Sequence, residues 1–367
     1  MNILYLIIIY GVICVCMIIF NICAIIYSKG SNKINDEKNK LYKTKIKEEL
    51  KRIEEGKNVE ESHLKFLKRK LRNSNNLMIF DSIVNRYKIR ENKYLDTYLK
   101  ECSSILTDLL YSYDKKTNTE MAYYLSVIKD YNLLKDNNSK ELISILYKTL
   151  LDENFYCRDN AFLAICKLGD AKKLYKALVI IDRSKKFYHR NLIYNGLSIS
   201  NCNKDEFIKL IMKNFDKFKT NIKCCIIDYL SYNNNQYSAY IYSLLLVPNP
   251  RNLKISAIKY FGIVRYEEAE KVLITYVNKY LNSDMGDLDF CISCVKSLRN
   301  YNSKNSMEII MKAIYAKNYR IRNIACESLA VIRLGINPSD LEDMELEEDI
   351  NIMYNYHIKR NIKKVVK

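Results

Sequence analysis

The sequence predicts an all-helical chain, with one N-terminal transmembrane helix followed by a stack of about six helix pairs. Three observations carry this. Gly (8) and Pro (3) are scarce in 367 residues, and no stretch sustains period-two alternation, so strands and turn-rich folds are not expected. Residues 3–27 have Asn21 as their only strongly polar member, a run long enough for a hydrocarbon core that takes about 20 helical residues. A short pattern also recurs six times in the second half: a basic residue, a small or apolar residue three places on, another three further, then usually Leu. It reads Arg158, Ala161, Ala164, Ile165; Arg190, Ile193, Gly196, Leu197; Lys223, Ile226, Tyr229, Leu230; Lys254, Ala257, Tyr260, Phe261; Cys291, Cys294, Ser297, Leu298; and Arg322, Ala325, Ser328, Leu329. Successive first positions differ by 32, 33, 31, 37 and 31 residues, a near-constant period that marks a stack of similar supersecondary units.

The elements follow in order. Residues 1–2 form a short outer tail and 3–27 the expected membrane span. A cleavable signal peptide fits less well, because Met1 and Asn2 supply no basic start and the apolar run exceeds the ~7–15 residues such a segment uses. Lys29, Lys33, Lys38, Lys40, Lys43 and Lys45 all follow the span, and cations near a span favour the cytoplasmic side. The expected location is therefore the cell membrane, single-pass, with the bulk of the chain cytoplasmic. Cysteine usage agrees: three of twelve (Cys14, Cys16, Cys23) lie in the span, and the others show no disulfide-framework spacing. Richness in Lys, Asn, Ile and Tyr suits an AT-rich genome, such as that of a low-GC bacterium.

Residues 28–76 read as a basic helical juxtamembrane linker. Leu41, Ile46, Leu50 and Ile53 mark one helix face up to Gly56. Leu64, Leu67 and Leu71 mark a second, with Lys65, Lys68, Arg69, Lys70 and Arg72 around the rest as candidates for a membrane surface or a partner helix. Residues 77–138 read as a helical N-terminal cap or degenerate repeat, clearest from Tyr94 to Tyr113, with a weak copy of the signature around Ala122 and Leu125. From 139 to 335 each signature helix follows another amphipathic helix: 140–151, 171–181, 205–215, 237–247, 267–281 and 306–316. The 37-residue interval predicts a longer loop near 282–289. Residues 336–367 read as a capping helix with a basic tail, after the acidic run at 340–349.

The spacing has a physical reason. Two helices cannot bury their apolar faces alone, so each pair must pack against the next. Small residues three apart lie on one side of a helix and let its neighbour approach closely. Tyr229 and Tyr260 fill the same slot, which predicts wider interfaces there or rings turned outward.

At residues 150–170 an Asp, an Arg, two Ala and a Gly-Asp pair stand in an order that resembles the HEAT repeat family, and 319–335 is a second good match. The resemblance covers 139–335 and implies an armadillo-like α-solenoid, typically a protein-binding scaffold and occasionally a nucleic-acid binder. It also implies a ladder in which an Asp before the second helix bridges to the basic residue that opens it. Asp152 with Arg158, Asp182 with Arg190 and Asp216 with Lys223 fit that pattern. The alternative is functional: Arg158, Arg190, Lys223, Lys254 and Arg322 would line a concave surface as partner-binding cations for an acidic protein segment or for phosphates.

A net charge of +18 raises nucleic-acid binding, but residues 29–100 carry 20 basic and 11 acidic side chains, half of that excess. A DNA-glycosylase family on similar repeats uses a Trp-containing platform, and this chain has no Trp. Cys291 and Cys294 form a C-x-x-C without a second ligand pair and occupy packing slots of the signature, so neither metal nor redox chemistry is expected. His63, His189 and His357 are far apart beside basic residues and read as surface histidines. No phosphate-loop, dinucleotide, nucleophile-elbow or H-E-x-x-H motif occurs, and no cofactor is expected. The sequence reading is a non-catalytic, membrane-tethered scaffold that holds a protein partner, with a phosphate-rich polymer as the alternative ligand and a DNA-repair enzyme as the least favoured reading.

Overall fold

A computed structural model of the chain describes residues 3–130, 140–283, 287–301, 303–334 and 347–365, and among these the regular secondary structure is helical throughout. The chain divides into two compact units, Met1–Leu168 and Gly169–Lys367.

The first unit holds α1 (Ile3–Glu54), α2 (Glu61–Lys70), α3 (Ser74–Ile89), α4 (Leu95–Tyr113), α5 (Asn118–Asp130), α6 (Lys140–Thr149) and α7 (Phe155–Lys167). Helix α1 packs on α3, α3 on α5 and α5 on α7, while α2 packs on α4 and α6 on α7. Helix starts are set by side chains that accept the free N–H groups of a first turn: Asn73 Oδ1 accepts from Asn75 and Asn76, and Asn154 Oδ1 from Tyr156 and Cys157. Outside the described residues lie 131–139, which include the expected boundary at 138/139.

The expected membrane span needs correction. Among the described residues no helix is long and apolar enough to cross a membrane, which overturns the transmembrane helix at 3–27 and the single-pass cell-membrane location inferred from it. The helix itself runs on without a break into a charged half, where Tyr42, Ile46 and Leu50 are buried against the rest of the unit. Leu67 and Leu71 are buried as well. The described part of 28–76 thus contributes core to the first unit.

The second unit holds α8 (Ala171–Arg183), α9 (Arg190–Ser198), α10 (Lys204–Lys213), a 3-10 turn (Phe215–Lys217), α11 (Thr220–Asn233), α12 (Ser238–Leu246), α13 (Arg251–Phe261), α14 (Glu267–Ser283), α15 (Leu288–Leu298), α16 (Lys304–Ala313), α17 (Tyr319–Leu334) and α18 (Glu348–Val365). The signature helices pack in sequence, α9 on α11, α11 on α13, α13 on α15 and α15 on α17, and α18 then packs on α17. The intervening helices make a second layer, in which α8 packs on α10, α12 on α14 and α14 on α16. The long 37-residue interval is taken up by helix: α14 has 17 residues against 9 in α12 and 10 in α16. Of the expected loop, 284–286 lie outside the described residues.

Small signature residues do what their spacing predicts. Ala161, Ala164, Ala257, Cys294 and Ala325 are fully buried. The approach is close enough for short side chains to reach the carbonyls of the neighbouring helix. Ser297 Oγ donates to the Ile258 carbonyl (3.0 Å), Cys157 Sγ to that of Asn118 (2.9 Å) and Asn160 Nδ2 to that of Ala122 (3.0 Å). Gly262 sits at the tightest such place, where an added Cβ would stand 2.6 Å from Ser297 Oγ and 3.1 Å from Ser297 Cα. The two tyrosines in the small slots are not turned outward. Tyr229 meets Phe207 of α10 edge-on at 5.8 Å, and Tyr260 places its hydroxyl 3.0 Å from Ser238 Oγ of α12. Both rings point at the first helix of their own pair, which leaves the neighbouring signature helix free to approach.

Candidate functional site

The five basic residues that open the signature helices were candidates for a binding row, and each has a different local fate. Arg158 is buried, and its Nη1 donates to the carbonyls of Asp152 and Glu153, both at 2.9 Å, with the guanidinium over the Phe155 ring. Arg322 repeats this arrangement at the same offsets: Nη1 donates to the carbonyls of Ala316 and Lys317, both at 3.0 Å, beside the Tyr319 ring. In both turns five residues separate the helices, and an Asn four places before the Arg accepts backbone N–H groups. The arginine therefore serves carbonyls that the end of one helix leaves open. The carboxylate of Asp152 instead accepts from the Asn154 N–H at 2.7 Å.

Arg190 follows a six-residue turn and reaches the next helix of the same layer, forming a bidentate pair with Asp228 of α11. Asp182, its expected partner, accepts from the Lys219 N–H at the start of α11 (3.0 Å). Lys223 Nζ lies 3.7 Å from Asp216, the partner the ladder implies, and over the Phe215 ring. Lys254 is half-buried, and the strong pair of its helix is made by Arg251, which binds Asp287 and Asp289 of α15. That guanidinium holds the Asp287 carboxyl below the usual carboxylate range. Among the candidates for a membrane surface, Lys65 pairs with Glu61 at 2.7 Å and Lys68 with Asp108 at 2.8 Å, while Arg69, Lys70 and Arg72 are exposed on the same stretch.

A groove of about 700 Å³ opens on the signature layer of the second unit, across α13, α15 and α17. Ile255, Ile292 and Ile324 supply its apolar lining, Lys259 and Lys296 stand one helical turn beyond the first two, and Ser293, Ser297 and Gly262 complete the floor. Lys259 and Lys296 are exposed, and among the described residues neither is in an ion pair, whereas the groove's other charges, Arg190 and Asp289, are held by Asp228 and Arg251. Sequence reasoning missed these lysines because it followed the first position of the signature. They occupy the sixth, and Ile255 and Ile292 the second, so the same register contained the signal.

A second cleft, about 660 Å³ and more apolar, is lined by Met307, Met311, Tyr315 and Ile332 with Lys304 and Lys312 at its edge. In the first unit Lys43, Arg86 and Arg90 surround a space of only about 60 Å³.

The cysteines of the signature helices are buried. Burial pushes the Cys291 thiol up to about 12 and raises Cys294 and Cys225 too, so the thiolate that nucleophilic or metal chemistry requires is disfavoured. Among the described residues no group of three or more His, Cys, Asp or Glu side chains could hold a metal ion. The surface reading of the histidines holds for His189, which caps α9, and fails for the other two. His63 is buried with Nε2 2.9 Å from the Tyr98 hydroxyl, and His357 is buried with Nε2 2.9 Å from Asn323 Oδ1. Burial, helped by Lys45, pulls the His63 pKa down to about 4. The chain matches no family model and no curated protein.

Proposed function

We propose that this protein is a non-catalytic α-solenoid scaffold of the HEAT-like kind, which holds a protein partner in the groove across α13, α15 and α17. One observation carries the reading: half-buried isoleucines and unpaired lysines recur at matching positions of α13 and α15, on a wall built from packed helices. Apolar anchors inside a charged rim are the composition of a protein-binding surface. Helices whose small residues lock them to their neighbours make such a wall rigid, so little ordering cost falls on the scaffold when a partner binds. The burial of Cys225, Cys291 and Cys294, which disfavours their thiolates, supports binding over chemistry at the signature helices. A tether to the membrane forms no part of this reading.

The test is photo-cross-linking in cells from a reactive amino acid placed at Ile255 or Ile292, with Lys271 on the other layer as the control. A discrete adduct is expected from the groove positions alone, and it should disappear when Lys296→Glu is added. Adducts from Lys271 of equal yield, or none from the groove, would remove the proposal.

A further inference from the structure

We infer that the groove takes an extended acidic segment of the partner, with an apolar residue at every third position and a polyproline-II backbone; this rests on the protein-binding reading above. The groove crosses three consecutive helices of one layer, and packed helices lie about 8–10 Å apart. Ile255 and Ile292 hold the same position of adjacent helices and so repeat at about that interval, and Ile324, one position later in its helix, continues the apolar lining onto α17. A polyproline-II chain rises ~3.1 Å per residue with three residues per turn, so every third side chain faces the same way at intervals of about 9 Å. A β-strand alternates faces every residue and would aim positions three apart to opposite sides. A strand would also need backbone partners, and helices whose N–H and C=O groups are bonded internally offer none. The polyproline-II form needs none.

Charge sets the composition and the direction. Lys259 and Lys296 follow Ile255 and Ile292 by one turn and call for carboxylates beside the first two anchors. The same position in α17 is Glu327, so the third anchor is best followed by a cation. Single-stranded nucleic acid fits less well, because it binds through aromatic platforms and the lining of the groove is aliphatic.

Fluorescence anisotropy of the full chain decides this with four labelled probes: a peptide repeating Leu-Glu-Pro, its charge-reversed form repeating Leu-Lys-Pro, a period-four form repeating Leu-Glu-Glu-Pro, and oligothymidine. The first should bind saturably and at least about tenfold tighter than the other three. Lys259→Glu with Lys296→Glu should weaken it by roughly tenfold or more, and Glu327→Lys should strengthen it, a gain that loss of folding cannot mimic. Equal affinity for the period-three and period-four peptides, no saturable peptide binding, or preference for oligothymidine would overturn the inference. If the peptides fail while Ile292 still captures a protein in a Lys296-dependent way, this inference falls and the scaffold reading stands. If both fail, both fall.

Discussion

Arg322 and Lys296 look alike in sequence, each a cation on a signature helix of the second unit, yet the fold treats them oppositely. Arg322 turns back over its own turn and serves two backbone carbonyls, as Arg158 does in the first unit. Lys296, in the sixth position, points into the groove without a counter-charge among the described residues. A position beside a turn must satisfy open carbonyls first, whereas one about two turns into the helix faces the groove and solvent. Arg190 is intermediate: it is the first residue of its helix, where Arg158 and Arg322 are the fourth of theirs, and it pairs across to Asp228. Cations of the signature helices are thus divided between those bonded within the fold and those left exposed in the groove.

The comparison can be broken most severely through the packing that shapes the groove. Gly262→Val should lower stability by about 3 kcal/mol, read from the urea midpoint, because its Cβ must displace Ser297 near the backbone of α15. A midpoint close to wild type would mean that α13 and α15 are less tightly apposed than described. The first unit sharpens the contrast with a third treatment of charge, a buried histidine held neutral. The folded pKa of His63 lies below its unfolded value, so the unfolded chain binds more protons in this window. Its contribution is full above pH ~6.5 and is lost as pH falls toward about 4, roughly 3 kcal/mol in all. His63→Gln, which can still bond Tyr98, should flatten that part of the stability–pH curve; an unchanged slope would assign it to other groups.

Next in size is Arg322→Ala, expected to cost about 2 kcal/mol by leaving two carbonyls without their charged donor. Arg322→Lys should recover only part of this, since an ammonium lacks the planar fork. Full recovery would show that charge alone matters at the turn. The smallest effect belongs to Lys259→Gln with Lys296→Gln, which should move the midpoint by less than about 0.5 kcal/mol.

Much of the helical layering was legible because its signal is periodic. Ala161, Ala164, Ala257 and Ala325 are buried as their spacing predicts, and the Asn and Asp caps stand where the helices begin. What stayed hidden depends on three dimensions. The span at 3–27 was read from composition alone, and composition did not show that α1 runs on into a half that packs with α3 and α4. Arg158 is the fourth residue of its helix and Arg190 the first of its own, a difference in helix start that the signature does not encode. His63 and His357 looked solvated because their sequence neighbours are charged, although those neighbours point elsewhere. The lysines of the groove share the repeat's register and were passed over because its first position drew the attention.

The central claim is that the cations of the signature's first position serve the fold while those of the sixth serve the partner. It is tested most directly by measuring the urea midpoint and the yield of the Ile292 cross-link in two variants of the full chain, Arg190→Gln with Arg322→Gln and Lys259→Gln with Lys296→Gln. The account predicts a lowered midpoint for the arginine pair, and for the lysine pair an unchanged midpoint with the cross-link lost. Loss of the cross-link with a wild-type midpoint in the arginine pair, or a destabilised lysine pair that still cross-links, would contradict it.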